Sequence, residues 1–202
     1  MRKTAGRPAV VSHKNKFQVL ISTVLSQRTR DENTATASKQ LFKSFPSAER
    51  LSKAPLCKIE KLIRPAGFYR TKAKRIKVIS TLLVERFGGQ PPSSLEQLLS
   101  LPGVGRKTAN CVLVYAFKKP AMPVDVHVHR ISNRLGLVET KTPEQTEQAL
   151  MLAVPKENWL ELNHLMVRYG QKICLPRNPR CLECKLRFKC PWFLNSCRKK
   201  QV

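Results

Sequence analysis

A chain of 202 residues, 42% of them hydrophobic, can bury a core for one large domain or two small ones, which excludes a disordered basic tail protein. Against 13 Asp and Glu stand 38 Lys and Arg, and the formal charge of +25 is a self-repulsion that asks for a polyanionic partner. Nucleic acid suits it, because every neutralised phosphate releases a condensed counterion. No stretch approaches the ~20 apolar residues that span a bilayer, which removes the support for a membrane partner.

The start, Met1-Arg2-Lys3-Thr4-Ala5-Gly6-Arg7-Pro8, carries no apolar signal core, so an intracellular protein is expected. Phe17, Leu20, Ile21 and Val24 then recur at helical spacing, followed by the polar run Ser26-Gln27-Arg28-Thr29-Arg30-Asp31. Ile76, Ile79, Leu83 and Phe87 mark another amphipathic helix, closed by Gly88-Gly89 and then Pro91-Pro92. Ser93 with Glu96 predicts a capping box for a short helix through Leu98, Leu99 and Leu101. Thr108, Val112, Leu113 and Ala116 carry the next helix, and Thr142-Pro143-Glu144-Gln145 opens a later one with a capping Thr and a Pro in the first turn. No segment alternates as a strand, and no sequence repeat or low-complexity linker interrupts the chain. The expected class is all-α. Near Cys174 the composition turns to Cys, Pro, Arg and Lys; that tail is too poor in aliphatic residues to form a core alone and needs a staple.

Leu101-Pro102-Gly103-Val104-Gly105-Arg106-Lys107-Thr108 lies between two short amphipathic helices. Gly103 and Gly105 permit a tight turn whose backbone N–H groups, with the N-terminus of the next helix, suit a phosphate oxygen; Arg106 and Lys107 add positive charge. An ordinary glycine-rich turn is the plain alternative, and the spacing is not that of a nucleotide-binding P-loop. A free lysine with a pKa of ~10.4 is a poor nucleophile, but Lys107 sits where the helix dipole and Arg106 disfavour its charge. It is either a nucleophile for a sugar carbon or a phosphate-binding lysine. Asp125, in Pro123-Val124-Asp125-Val126-His127, is either a helix N-cap or a carboxylate that stabilises positive charge on a sugar as a glycosidic bond breaks. His127 reads as a supporting residue rather than a catalytic one.

Cys174, Cys181, Cys184 and Cys190 follow C-x6-C-x2-C-x5-C. Four thiolates so close in sequence can close around a tetrahedral zinc or an iron–sulfur cluster, and spacing leaves both open. A disulfide framework is disfavoured in a reducing compartment. Arg177, Arg180, Lys185, Arg187 and Lys189 lie between these ligands as a basic loop, while Cys57, Cys111 and Cys197 fall outside the pattern.

Taken together, Leu101–Asn110, Val124-Asp125-x-His127 and the four-cysteine tail resemble endonuclease III, of the helix-hairpin-helix DNA glycosylases, in order from about Phe17 to Cys190. The resemblance implies a six-helix barrel domain over 14–122 and a cluster domain over 123–202 joined by the N-terminal 1–13, with a DNA-binding cleft between them. It implies a 4Fe–4S cluster on Cys174, Cys181, Cys184 and Cys190. Lys107 falls on the family's Schiff-base lysine and Asp125 on its essential aspartate. The expected activity is excision of oxidised pyrimidines from duplex DNA in base excision repair, with strand nicking by β-elimination. The expected partner is double-stranded DNA carrying damaged bases or abasic sites, met by a monomer in the cytoplasm or nucleoid. DNA contacts are expected from Gly103, Gly105, Arg106 and His127, and from the segments that fill the gap left by a flipped nucleotide. Phe68, in Gly67-Phe68-Tyr69, falls where the family's wedge stands, although a core Phe is the alternative. The family's plugging Gln falls on Arg28, with Gln27 one place earlier. Rival readings are a mismatch-specific thymine, uracil or adenine glycosylase on the same scaffold, and a non-catalytic helix-hairpin-helix DNA-binding module. Lys107 argues against the first, and the Lys107/Asp125 pair against the second.

Overall fold

Asn15 accepts a hydrogen bond from the Phe17 amide and so opens α1 (Lys16–Ser26) in the computed structural model, which describes residues 15–198. Residues 1–14 and 199–202, including the stretch 1–13 expected to join the second domain, lie outside the described residues. Phe17, Val19, Leu20, Ile21, Val24 and Leu25 are all buried, so α1 is covered nearly all round, as suits a helix at the centre of a bundle. It packs against α2 (Asp31–Ser44), α5 (Tyr69–Phe87) and α7 (Arg106–Phe117). Between α2 and α5 run the short α3 (Ala48–Ser52) and α4 (Leu56–Leu62), both packed on α5, and α6 (Leu95–Leu99) pairs with α7. Leu41, Leu51, Ile59, Ile63, Ile76, Ile79, Leu83 and Leu98 complete this core.

The chain divides into two compact units at 119/120. The second unit holds α8 (Val126–Arg134), α9 (Pro143–Ala153), α10 (Trp159–Lys172) and α11 (Pro191–Arg198), with α8 packed on the other three. Its core is Met122, Val124, Val128, Ile131, Leu150, Trp159 and Met166. Among the described residues every regular element is helical, so the all-α class holds, and no helix is long and apolar enough to cross a membrane.

The capping signals resolve with one shift. Thr142 caps α9 by accepting from the Gln145 amide, and the Gln145 side chain accepts in turn from the Lys141 amide. At α6 the cap is Ser94 with Gln97 rather than Ser93 with Glu96: the Ser94 hydroxyl accepts from the Gln97 amide and meets its side chain. Two serines in a row made the register ambiguous. Ser93 instead turns its backbone oxygen to the Lys119 ammonium.

Candidate active site

The glycine hairpin joins α6 to α7. Leu101 N–H donates to Leu98 O and Val104 N–H to Leu101 O, so the chain turns tightly, with Leu101 and Val104 buried beneath it. Gly103 has φ +73° in the left-handed region, which favours glycine, and a Cβ there would also displace the Arg75 guanidinium. Gly105 is the N-cap of α7 in extended backbone, and a Cβ on it would meet no protein atom within 4 Å. Lys107 is the second residue of α7 and exposed; Arg106, the first, is half-buried. The hairpin therefore presents a lysine on a helix N-terminus beside a backbone turn with open space outside it, the arrangement that suits an anion next to a nucleophile.

The segment after α1 separates Gln27 from Arg28. Gln27 turns inward: its Nε2 donates to Gly103 O at 2.9 Å and Thr108 Oγ1 at 3.2 Å, while its Oε1 accepts from Arg75 at 3.1 Å. Both amide hydrogens are thereby used. Arg28 is exposed, at φ +50°, and its guanidinium carbon stands 6.0 Å from the ring centre of Phe68. Phe68 is itself left-handed, at φ +57°, and 64% exposed, so it is not a core residue. Of the two residues weighed for the gap, Arg28 is the one beside Phe68. Lys72, which sequence reading passed over, lies just behind this pair and is 3% exposed.

In the second unit Asp125 is the N-cap of α8. Its Oδ1 accepts from the His127 amide at 2.9 Å and the Val128 amide at 3.0 Å. The capping role and a chemical role are compatible, since two N–H donors at a helix N-terminus favour negative charge. His127 Nδ1 meets Arg130 Nη2 at 3.1 Å, and that guanidinium donates to Cys174 O at 2.8 Å, so the histidine leads to the cysteine segment.

Cys174, Cys181, Cys184 and Cys190 line one cavity together with Arg134, Tyr169 and Trp192. None of the six described cysteines is in a disulfide; Cys197 lies where side chains are not described. Arg134 Nη1 donates to Cys174 Sγ at 3.3 Å and to Leu175 O at 2.7 Å, while its guanidinium stacks over Trp192 at 4.4 Å. Tyr169 donates to Cys184 Sγ at 2.9 Å. Burial, then the sulfurs of Cys174, Cys184 and Cys190, push the Cys181 thiol up. Burial, then the bond to Cys184, raises the Tyr169 phenol too. No three His, Cys, Asp or Glu side chains among the described residues gather tightly enough to hold a single metal ion. The sulfurs surround a cavity rather than converge on a point.

Residues 21–156 match the HhH-GPD superfamily of base excision DNA repair proteins. The chain is 57% identical to endonuclease III of Thermotoga maritima over 88% of its own length and 83% of the relative's. It is 38% identical to endonuclease III of Bacillus subtilis over 94% and 84% of the two chains. It also superposes with TM-score 0.85 at 35% identity, over 96% of this chain and 91% of the other, on endonuclease III trapped as a covalent intermediate with DNA, in an estranged-adenine complex. The chain belongs to the HhH-GPD superfamily of base excision DNA repair proteins and, within it, to the endonuclease III family.

Proposed function

We propose that this protein is a DNA glycosylase and abasic-site lyase of base excision repair, acting on oxidised pyrimidines in duplex DNA through Lys107. The observation that carries it is the exposed Lys107 on the first turn of α7, directly after the Gly103–Gly105 turn, in a chain similar to one trapped covalently on DNA. The Lys107 amine attacks C1′ of the displaced nucleotide as the bond from C1′ to the base breaks, and the base leaves with the electron pair. Sugar-ring opening then gives an iminium between Nζ and C1′. Loss of a C2′ proton expels the 3′ phosphate oxygen, which nicks the strand, and water releases the lysine. Asp125 supplies negative charge for the positive sugar, held for that purpose by the His127 and Val128 amides.

The hairpin backbone, Gly105 and Arg106 take the DNA phosphates, and the Arg28 and Phe68 tips take the gap left in the helix. His127, two residues after Asp125 in the first turn of α8, is the remaining DNA contact in this reading. The excess of basic residues supplies the general attraction.

Cys174, Cys181, Cys184 and Cys190 hold a 4Fe–4S cluster in this reading. Zinc would draw four sulfurs to ~3.8 Å from one another around a single ion. A cluster gives each thiolate its own iron, which suits sulfurs arranged around a cavity, and the donors from Arg134 and Tyr169 suit electron-rich sulfurs. When bound, the cluster supplies the iron–thiolate bonds that staple a tail too poor in aliphatic residues to fold alone. Iron and sulfide analysis with a visible absorption band checks this; colourless protein holding one zinc contradicts it.

The activity is tested by nicking of a duplex carrying one thymine glycol. Wild type is expected to cut at the lesion and Lys107→Ala to leave the strand whole; equal cutting by both overturns the assignment.

A further inference from the structure

A lysine occupies the apolar face of α5. Lys72 precedes Ile76, Ile79 and Leu83 at helical spacing, and it is as buried as they are. A buried ammonium is costly unless every proton finds an acceptor. Lys72 Nζ has three: Leu25 O at 2.7 Å, Gln27 O at 2.5 Å and Thr29 Oγ1 at 2.6 Å. All three belong to the chain leaving α1, on either side of Arg28. Thr29 Oγ1 also accepts from the Gly67 amide at 3.1 Å, which fastens the loop carrying Phe68 to the same point. Approach is so close here that a Cβ on Gly67 would lie 2.9 Å from the Arg28 carbonyl oxygen.

This anchorage explains two strained residues. Arg28 and Phe68 are both non-glycine residues in the left-handed region, each a cost that surrounding structure must offset. Neither is held there by burial, since both tips are exposed. The Gln27 side chain then ties the same segment to Gly103 and Thr108, on the two sides of Lys107.

We propose that Lys72, Thr29 and Gln27 are positioning residues that make the Arg28 and Phe68 tips and the Lys107 hairpin one stiff element, so that displacing a nucleotide and presenting it to Lys107 occur in one piece. The proposal rests on the functional reading above. Lys72 touches no substrate in this arrangement; it acts through the two tips. Its consequence is selective. A damaged base must be drawn out of the stack, which costs a few kcal/mol, whereas an abasic site has no base to extract. Loosening the tips therefore slows work on an intact lesion more than on an abasic site, a distinction that a general loss of packing does not make.

The test is single-turnover borohydride trapping on two duplexes that differ only in carrying thymine glycol or an abasic site. Thr29→Val keeps the side-chain shape and removes the oxygen shared by Lys72 and Gly67. It is expected to slow trapping on thymine glycol by about tenfold or more, the weight of one hydrogen bond to a buried charge, and to change the abasic reaction little. Thr29→Ser restores the oxygen and is expected to restore the rate. Lys72→Met, checked for folding by thermal melt, follows Thr29→Val; should it not fold, the Thr29 pair decides alone. Equal slowing on both duplexes, or no slowing on either, overturns the positioning role. A wild type that forms no adduct on either duplex overturns the functional reading instead.

Discussion

The carboxylate of Asp125 accepts from the His127 and Val128 amides, so deleting it and neutralising it are different experiments. Asn caps a helix about as well as Asp, whereas Ala forfeits about 1 kcal/mol. Asp125→Asn is therefore expected to melt close to wild type yet lose ~100-fold or more in single-turnover base excision, the scale of one lost electrostatic stabiliser. A variant that melts normally and cuts normally confines Asp125 to its capping role. Gly105 permits a similar separation. With no protein atom within 4 Å of an added Cβ, Gly105→Ala meets no clash in the fold, and its cost there is limited to the ~1 kcal/mol or less by which Ala is the poorer N-cap of α7. The expected outcome is a small drop in thermal stability with a larger loss of duplex binding by gel shift. Gly103→Ala, at φ +73° and against Arg75, lowers stability as well.

Among the elements, α5 carries the clearest pH signature. Burial, with the charge of Arg75 adding to it, lowers Lys72 from the usual lysine range to about 8. The unfolded chain then binds more protons than the folded one between pH ~8 and ~10.5, so this residue's penalty is full below that window and is relieved as pH rises through it. Wild type is expected to gain stability relative to Lys72→Met from pH 7 to 10 in denaturant melts; a constant difference contradicts the assigned burial. The apolar periods of α1, α5 and α7 and the Thr142 cap were legible in sequence because they are local patterns. The anchor was not. Lys72 stands in the stripe of Ile76, Ile79 and Leu83, and a cation on an apolar face was the available signal, but its acceptors lie 43 to 47 residues away. The same holds for Gln27 and Arg28, adjacent in sequence, of which the first reaches Gly103 and Thr108 while the second, with a left-handed backbone, stands exposed beside Phe68. Ser93 and Ser94 show the smaller ambiguity, one place of register between two equal capping residues.

Across the whole molecule, charge and the cysteine cavity set the behaviour. A net charge of +25 predicts duplex affinity that falls steeply with salt, with a log–log slope of about −0.9 for each phosphate neutralised. Lys107→Ala should shift that slope by about one unit at most, because one lysine contributes one contact. Cys184→Ala is expected to lower iron content and thermal stability together, as the second unit loses the staple of its tail. The most direct test of the central claim is to reduce the mixture of protein and abasic duplex with borohydride, digest the adduct and locate the modified lysine by mass spectrometry. The account predicts DNA-derived mass on Lys107 and no adduct from Lys107→Ala. An adduct mapped to another lysine, or none from active wild type, contradicts it.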